Sequence, residues 1–234
     1  MDLSIIVPAY NEELRIKEFA DSLINFSAKH LKKVLKNYEI IFVNDGSKDS
    51  TLDILQDLKK AHKDKIKIIS YEKNQGKGYA VKKGVLNSKG EKIIFIDADG
   101  SISPKEIPKM LEKLNHYDIV IGNRSSKQSK IEQPGLRVLT GTVFSIIANI
   151  FFPIKTKDTV CGFKGFNKNA AVYLFEKLKS TGWVFDVEII YLAKKKKYSM
   201  YKLPIIWKHK QGTRMKLYTP ILMVWELVKL RVKI

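Results

Sequence analysis

The chain has 234 residues, of which 44% are hydrophobic, and its 43 Lys and Arg against 24 Asp and Glu give a formal net charge of +19. This composition supports a substantial core and excludes a disordered tail. The positive charge predicts a polyanionic neighbour, for which nucleic acid, anionic lipid and phosphorylated substrates are the candidates.

The first half of the chain alternates strand-like and helix-like segments. Apolar runs rich in β-branched residues predict five strands, over 3–8, 38–44, 66–71, 92–97 and 118–122. The segment after the first strand has an apolar stripe typical of a helix lying on a sheet, formed by Ile16, Phe19, Leu23 and Phe26. Capping residues at 49–51 and Pro104 predict two further helix starts. This alternation indicates βαβ units, and therefore an α/β fold with a mainly parallel, Rossmann-like sheet flanked by helices.

The second half departs from this alternation. No residue from 138 to 154 is charged, yet this run is shorter than the roughly 20 apolar residues of a spanning helix, which favours an interfacial helix. The segments that follow predict a short strand, two helices and another strand, within 158–167, 171–178, 185–194 and 201–207. The final segment, 219–234, predicts a helix whose apolar face includes Ile221 and Trp225. The sequence leaves open whether that helix lies on a membrane surface or packs on the core.

Two features bear on the compartment. The first residues, MDLSIIVPAYNE, lack the basic region and the long apolar run of a signal peptide, so we expect a cytoplasmic protein. The one cysteine, Cys161, excludes an internal disulfide, fits a reducing compartment and is expected to be a small buried apolar residue.

Polar or glycine-rich loops follow the first four predicted strands. They are PAYNE (8–12), NDGSKDST (44–51), NQGKG (74–78) and DADGS (97–101). Because ligands of open parallel sheets bind beyond the carboxyl ends of the strands, these loops are expected to converge on one cleft. The absence of GxGxxG after the first strand and of a P-loop motif argues against dinucleotide and P-loop sites.

Two acids separated by one alanine end the fourth predicted strand. Asp97 and Asp99 would share one face with Ala98 turned away, and two such carboxylates repel each other unless a cation joins them. Mg²⁺ or Mn²⁺ carrying a diphosphate fits this pair, although a DxD sequence is also typical of a turn and helix cap. Lys77 would then be a charge partner of the diphosphate, and Asp45 would accept from an imide N–H of a base.

Further charged residues are candidates for phosphate binding or for orienting groups. Guanidinium groups bind phosphate bidentately. Arg124 and Arg137 would do so at the cleft entrance if the segment 138–154 lies at a membrane surface. The basic segment 208–216 would close over a diphosphate. Asp158 and Asp186 remain as a base or as orienting groups, and the aromatic neighbours of Asp186 are expected to raise its pKa. Solvated side chains are the alternative for the basic residues, and a helix-start acid is the alternative for Asp186.

These motifs together resemble a known family. The ordered set VPAYNE, NDGSKDST, NQGKGYAV, DADGS and GNR resembles the nucleotide-sugar half of family 2 inverting glycosyltransferases. DTVCGFKGF, GWVFDVEIIYLA and GTRMK resemble the dolichyl-phosphate glucosyltransferase branch, near the dolichyl-phosphate mannose synthases. The resemblance covers nearly the whole chain. It implies a nucleotide-diphospho-sugar transferase (GT-A) fold in a single domain, 1–234, with a nucleotide-sugar half, 1–124, and an acceptor and membrane-associating half, 125–234.

The resemblance also implies substrates and residue roles. The donor would be UDP-glucose, the acceptor a polyprenyl or dolichyl phosphate, and the protein would be peripherally associated with an anionic membrane surface. We predict that Asp97 and Asp99 hold Mg²⁺ or Mn²⁺, that Arg124 and Arg137 bind the lipid phosphate, and that the catalytic group is Asp99, Asp158, Asp186 and Arg124. The predicted donor-binding residues are Pro8, Ala9, Tyr10, Glu12, Asn44, Asp45, Gly46, Lys77, Asp97, Ala98, Asp99, Gly212, Arg214 and Lys216. Ser101 stands where mannose synthases often have Gln, which favours glucose.

The expected mechanism follows from the charge of the acceptor. A lipid phosphate is ionised at neutral pH, so its oxygen can attack the anomeric carbon in line and invert it without a strong general base. Two enzyme alternatives stay open. One is transfer of another sugar, such as mannose from GDP-mannose or N-acetylglucosamine. The other is transfer to a soluble hydroxyl, with Asp186 as the base. Nucleic-acid binding is not expected, because recognised modules and interleaved aromatics are absent from the sequence.

Overall fold

The computed structural model of the protein describes residues 1–132, 135–210 and 219–234, and the side chains of 132, 135–139 and 220 lie outside that description. Its strands are β1 (Leu3–Ala9), β2 (Tyr38–Asp45), β3 (Ile66–Tyr71), β4 (Lys92–Ile96), β5 (Ile119–Asn123), β6 (Lys130–Glu132), β7 (Phe163–Asn167), β8 (Met200–Pro204) and β9 (Ile206–Lys208). Its α-helices are α1 (Ile16–His30), α2 (Thr51–Ala61), α3 (Lys77–Leu86), α4 (Ile107–Lys113), α5 (Gly135–Phe151), α6 (Lys168–Lys177), α7 (Phe185–Lys195) and α8 (Thr219–Lys233). The five strands predicted for the first half are confirmed, each to within one residue at either end.

Within the described residues, seven strands form one sheet in the order β3-β2-β1-β4-β7-β5-β8. β1 pairs in parallel with both β2 and β4, and β5 pairs in parallel with β8. β7 runs antiparallel to its two neighbours, β4 and β5. The prediction of a mainly parallel sheet is confirmed, and strands from both predicted halves of the chain belong to it. The strand order reverses between β1 and β4, which is where sheets of this type bind ligands.

The central strands of the sheet are buried on both faces, which explains why β1 and β4 are apolar without alternation. Ile5 of β1 belongs to a core cluster that also contains side chains of α1, α2 and α4. Its neighbour Ile6 points to the opposite face, into a second cluster with side chains of α3, α5, α6, α7 and α8. Each isoleucine is fully buried, and such burial contributes about 1.5–3 kcal/mol per side chain. The result is a three-layer arrangement in which the sheet edge positions the loops.

Each of the four loops at the carboxyl ends of β1 to β4 contains a residue with left-handed backbone. These residues are Asn11, Gly46, Gly76 and Gly100, with φ of 52°, 67°, 100° and 71°. Glycine adopts this region without steric cost and asparagine visits it more readily than most residues, so the chain can turn sharply as it leaves the strand. The four predicted loops therefore stay close to the edge of the sheet.

The strand predicted over 201–207 is wrong as a single element. β8 ends at Pro204, and β9 pairs in parallel with β6 in a separate two-stranded sheet. Proline has no N–H with which to continue a ladder, so the chain leaves the main sheet there. Trp207 of β9 forms a bridge with Ile102, and the Lys208 amide donates to the Ser101 carbonyl at 2.9 Å. β9 consequently lies against the loop that follows β4.

Helices α5 and α8 pack against each other and leave large apolar side chains exposed. In α8, Met223 and Leu227 are buried in the core, whereas Ile221 and Trp225 are 73% and 57% exposed. Ile150 of α5 is 76% exposed. The alternative in which the terminal helix packs on the core is thus confirmed for the face that carries Met223 and Leu227. Among the described residues no helix combines the length and the apolar character needed to cross a bilayer.

Candidate active site

Asp97 and Asp99 come directly after β4, with the buried Ala98 between them. The Asp97 amide donates to the Gly162 carbonyl at 3.0 Å. Its carboxylate contacts Lys77 Nζ at 2.7 Å from Oδ1 and 2.9 Å from Oδ2. Asp99 Oδ1 accepts from the Ser101 amide at 2.9 Å. Burial, and then the neighbouring Asp97 charge, raise the pKa of Asp99, so this pair of acids favours a cation nearby.

The surroundings of Asp97 fit a divalent ion carried by a diphosphate. The Asp97 side chain is 30% exposed, and both of its oxygens contact Lys77 Nζ. A Cβ on Gly162 would overlap the Asp97 carboxylate, and glycine is therefore what allows the acid to lie there. In the part of the chain that the structure describes, no group of three or more His, Cys, Asp or Glu is placed to hold a metal. Two carboxylates suit Mg²⁺ or Mn²⁺, which keep waters and phosphate oxygens as their other ligands.

The loop before Lys77 is organised by Asp45 at the end of β2. Asp45 Oδ1 accepts from the Gln75 amide at 2.7 Å, and Oδ2 accepts from the Gly76 amide at 3.0 Å and from Asn74 Nδ2 at 2.9 Å. Burial raises the pKa of Asp45, although these hydrogen bonds oppose the shift. Asp45 fixes the loop that starts α3, and its binding to a base stays a prediction.

The predicted loops after β1 and β2 are joined to each other. The Asn11 amide donates to Ser47 Oγ at 2.9 Å, and the Glu12 amide donates to Thr51 Oγ1 at 2.7 Å. The Glu12 carboxylate is paired with Arg15, while Tyr10 is 36% exposed at the surface. The remaining predicted donor-binding residues of these strands are Pro8 and Ala9 of β1, Asn44 of β2 and Gly46, and all lie at this same edge.

Gly46 and Asn44 hold the second loop in place. A Cβ on Gly46 would lie 2.6 Å from the Asn74 amide nitrogen, so only glycine allows the third loop to approach so closely. Asn44 Nδ2 donates to Ser70 Oγ at 3.0 Å, and its Oδ1 accepts from the Ser47 amide at 3.3 Å. Hydrogen bonds therefore connect the loops after β1, β2 and β3 at this edge of the sheet.

Arg124 and Asp158 form a bidentate pair within electrostatic reach of Asp97. Arg124 Nε donates to Asp158 Oδ2 at 3.0 Å and Nη2 donates to Oδ1 at 2.7 Å, while the Arg124 amide donates to Oδ2 at 2.7 Å. The guanidinium also lies 5.9 Å from the centre of the Trp207 ring. Burial opposes the charge of Arg124, but the charge and hydrogen bonds of Asp158, together with neighbours that include Asp97, raise the arginine's pKa. The guanidinium is thus held rigidly within electrostatic reach of Asp97.

Cys161 lies beside this pair. It is buried, as expected, and burial followed by the Asp158 charge raises the pKa of its thiol to about 12. The thiol is therefore protonated at neutral pH and acts as a small apolar side chain.

Asp186 forms a buried ion pair with Lys164, a residue that the sequence analysis does not identify. Lys164 Nζ lies 2.5 Å from Asp186 Oδ1 and donates to the Cys161 carbonyl at 2.7 Å. The two side chains are 0% and 2% exposed. Burial raises the pKa of Asp186 as expected, against the opposing charges of Lys164 and Lys77. The signal in the sequence is a lysine between two phenylalanines in a strand that is covered on both faces.

Four of the predicted site residues lie outside what the structure describes. Gly212, Arg214 and Lys216 are within 211–218, and the side chain of Arg137 is also outside the described set. The structure brings together Asp97, Asp99, Lys77, Arg124, Asp158 and Asp186.

Comparison with known proteins gives one matching family model and many relatives. The model described as glycosyl transferase family 2 matches residues 4–175. A dolichyl-phosphate beta-glucosyltransferase from Dictyostelium discoideum is 35% identical over 240 residues, covering 98% of this chain and 73% of that protein. One of the same name from Homo sapiens is 33% identical, covering 91% of this chain and 69% of that protein.

Solved structures support the fold. Glucosyl-3-phosphoglycerate synthase from Mycobacterium tuberculosis, in complex with Mn²⁺, UDP and glucosyl-3-phosphoglycerate, superposes with a TM-score of 0.70 at 18% identity, over all of this chain and 80% of that one. Mannosyl-3-phosphoglycerate synthase from Rubrobacter xylanophilus gives a TM-score of 0.69 at 18% identity, over all of this chain and 73% of that one. The predicted GT-A fold is confirmed.

Proposed function

The chain belongs to glycosyl transferase family 2, and from that premise we propose that it transfers glucose from UDP-glucose to a polyprenyl or dolichyl phosphate, with inversion, at a membrane surface. That the protein is a glycosyltransferase follows from the family match and from relatives at 33–35% identity over nearly the whole chain. The donor, the acceptor and the metal are the proposed part.

One observation carries the proposal. A fixed guanidinium, Arg124, lies within electrostatic reach of the acid Asp97, which contacts the ammonium of Lys77. Transfer between two phosphate-bearing substrates needs two phosphate-binding groups next to each other, one for the leaving diphosphate and one for the attacking phosphate. Lys77 suits the first role and Arg124 the second, because guanidinium groups bind phosphate bidentately. The relatives named dolichyl-phosphate beta-glucosyltransferase support a lipid phosphate as acceptor.

Asp97 and Asp99 would hold the divalent ion, Mg²⁺ or Mn²⁺, and a bound ion there would neutralise charge on the departing diphosphate. The glucosyl-3-phosphoglycerate synthase described above was solved with Mn²⁺ and UDP, which supports this assignment. Lys77 would contact the same diphosphate from the first turn of α3, where the positive end of the helix dipole adds to its charge. Pro8, Ala9, Tyr10, Glu12, Asn44, Asp45, Gly46 and Ala98 would surround the nucleoside from the loops after β1, β2 and β4.

The reaction is a single displacement. An oxygen of the ionised lipid phosphate forms a bond to the anomeric carbon, the bond from that carbon to the diphosphate oxygen breaks, and the electron pair leaves with the nucleoside diphosphate. No proton needs to be removed from the acceptor. Asp158 would orient Arg124 through the three hydrogen bonds described above. Asp186 would have an orienting role through its ion pair with Lys164. Because Asp186 is buried and paired, it is poorly placed to take a proton from a soluble hydroxyl.

Association with an anionic membrane surface is supported by α5 and α8. Their exposed apolar side chains include Ile150, Ile221 and Trp225, and the last turn of α8 carries Arg231 and Lys233. Apolar side chains beside basic residues are typical of interfacial helices. The net charge of +19 adds long-range attraction to anionic lipid. A membrane-borne phosphate would then approach Arg124 from that surface.

A substrate panel tests the proposal. The protein is incubated with labelled UDP-glucose, UDP-galactose, UDP-N-acetylglucosamine or GDP-mannose, each with Mg²⁺ or Mn²⁺. The acceptor is polyprenyl phosphate, and the matched control is polyprenol, which has the same chain without the phosphate. We expect label in the lipid fraction from UDP-glucose and polyprenyl phosphate alone. Equal transfer to polyprenol or to soluble sugars, or no transfer from any donor, would contradict the proposal.

A further inference from the structure

The loop 179–184, between α6 and α7, covers the start of the helix that carries Lys77. The Gly78 amide donates to the Gly182 carbonyl at 3.2 Å, and the Tyr79 amide donates to the Thr181 carbonyl at 3.1 Å. The first amides of a helix have no partner within it, so this loop satisfies two of them. The contact is close, because a Cβ on Gly76 would lie 2.5 Å from the Thr181 oxygen. The position of Lys77 therefore depends on the position of this loop.

The loop itself is held by two carboxylates from different helices. Glu188 of α7 accepts from the Lys179 amide at 2.9 Å and from the Ser180 amide at 2.7 Å. Glu226 of α8 accepts from the Trp183 amide at 3.1 Å and from the Val184 amide at 3.3 Å. A Cβ on Gly182 would overlap the Glu226 carboxylate, so that glycine is needed for the acid to reach the backbone. Burial raises the pKa of Glu226, against these two hydrogen bonds.

The contacts continue from this loop to the acid pair. The Trp183 ring, whose amide is bound by Glu226, lies 5.7 Å from Lys77 Nζ. Lys77 Nζ in turn contacts both carboxylate oxygens of Asp97. An unbroken set of contacts thus joins α8, which has the exposed apolar side chains Ile221 and Trp225, to the acids after β4.

We propose that Glu226 is a positioning residue for the nucleotide diphosphate: it fixes the 179–184 loop, which fixes Lys77. Helix α8 would then support the donor site as well as provide the exposed side chains, Ile221 and Trp225, that are proposed to contact the membrane. This inference rests on the proposed function, because binding of a diphosphate at Lys77 belongs to that proposal. Glu226 itself touches neither substrate.

Calorimetric titration with UDP and with GDP, in the presence of Mn²⁺, tests the inference on the full chain. Glu226→Ala removes both hydrogen bonds that hold the loop, and through the displaced Lys77 it is expected to weaken nucleotide binding about tenfold. Glu226→Gln keeps an oxygen that can accept from both amides, so it should restore binding to within about threefold of the natural chain. The matched control is Glu176→Ala, which removes an exposed acid from α6. That variant should bind like the natural chain.

A second background separates positioning from a general structural role. If Glu226 acts through Lys77, then Glu226→Ala should weaken nucleotide binding less than about twofold in a Lys77→Met chain. A general loss of structure would lower affinity equally in both backgrounds, and that result would overturn the inference. If Glu226→Ala does not fold, Gly182→Ala, which places a methyl group on the Glu226 carboxylate, is compared in the same two backgrounds.

The same titrations distinguish the two proposals. A natural chain that binds neither UDP nor GDP would overturn the proposed function and this inference with it. A natural chain that binds nucleotide, with every Glu226 variant binding equally well, would overturn the inference alone.

Discussion

The buried pair of Lys164 and Asp186 gives the sharpest prediction about stability. Lys164→Met keeps the side-chain volume but leaves the Asp186 carboxylate, which is 2% exposed, without its counter-charge. The change also removes a 2.7 Å hydrogen bond to the Cys161 carbonyl. Breaking a buried ion pair from one side lowers the free energy of unfolding by about 3–5 kcal/mol, and we expect a loss in that range at neutral pH.

The size of this loss should depend on pH. Burial already raises the pKa of Asp186 above its ordinary value of 3.8, and Lys164 opposes that shift, so its removal raises the pKa further. An acid with a higher pKa in the folded state binds more protons there than in the unfolded chain. Stability from such a group is present at low pH and is lost as pH rises through the folded pKa. The Lys164→Met loss should therefore be smaller near pH 5 than near pH 7.5, with a slope of at most about 1.4 kcal/mol per pH unit.

Urea unfolding followed by far-UV circular dichroism measures this loss at the two pH values. The matched control is Lys168→Met, whose ion pair with Glu91 is exposed, at 43% and 70% of the two side chains. Exposed pairs contribute little, and the control should lose less than about 1 kcal/mol at either pH. Equal losses in the two variants, or a Lys164→Met loss that does not change with pH, would refute the interpretation of this pair as buried and charged.

Three further predictions concern the site. Arg124→Lys keeps the charge but loses the bidentate fit to Asp158. The KM for polyprenyl phosphate should therefore rise about tenfold, while the KM for the nucleotide sugar stays unchanged. Equal changes in the two KM values would contradict a role of Arg124 at the acceptor. Gly162→Ala places a methyl group on the Asp97 carboxylate and should lower kcat at least about tenfold. The control is Gly141→Ala, which has open space around it and should leave kcat unchanged. Matching kcat values in the two variants would argue against a fixed position of the Asp97 carboxylate. Trp225→Ser should lower the affinity for anionic vesicles, measured by co-sedimentation, about fivefold. The control is Leu14→Ser, which changes an exposed residue outside α5 and α8 and should leave that affinity unchanged. Equal binding by the two variants would contradict membrane contact through Trp225.

The first half of the fold can be predicted because its signals are local. The apolar run at 93–96 and the DADGS loop specify a buried strand and its end without reference to the rest of the chain. The meeting of Lys77 with the acids after β4 follows from the rule that carboxyl ends of parallel strands share an edge. These parts of the site are therefore accessible from sequence.

Other features depend on contacts between distant segments. β7 enters the sheet antiparallel between β4 and β5, and its register joins residues 163–167 to 92–96, for which no local pattern exists. Lys164 could have been recognised, because a lysine inside a strand buried on both faces requires a partner. Its partner, Asp186, becomes evident only in the fold. Glu226 is the one acid in the sequence of α8, which marks it as unusual. The sequence does not indicate which backbone amides it binds.

The division of the terminal helix into two faces also required the fold. The sequence pattern groups Ile221 and Trp225 on one apolar face, and these side chains are exposed, whereas Met223 and Leu227 provide the core contact. Periodicity identifies an amphipathic helix but not which of two apolar sides meets the core. The predicted roles of Arg137, Gly212, Arg214 and Lys216 stay predictions.

The central claim is that Asp97 and Asp99 hold a divalent ion. This ion would neutralise the leaving nucleoside diphosphate while the lipid phosphate accepts the sugar. Transfer of labelled glucose from UDP-glucose to polyprenyl phosphate by the Asp97→Asn, Asp99→Asn double variant tests it most directly. We expect the rate to fall at least about a hundredfold, while Asp57→Asn, Asp64→Asn, which changes two exposed acids, keeps the natural rate. Transfer at the natural rate by the folded double variant in the presence of a chelator would contradict the claim.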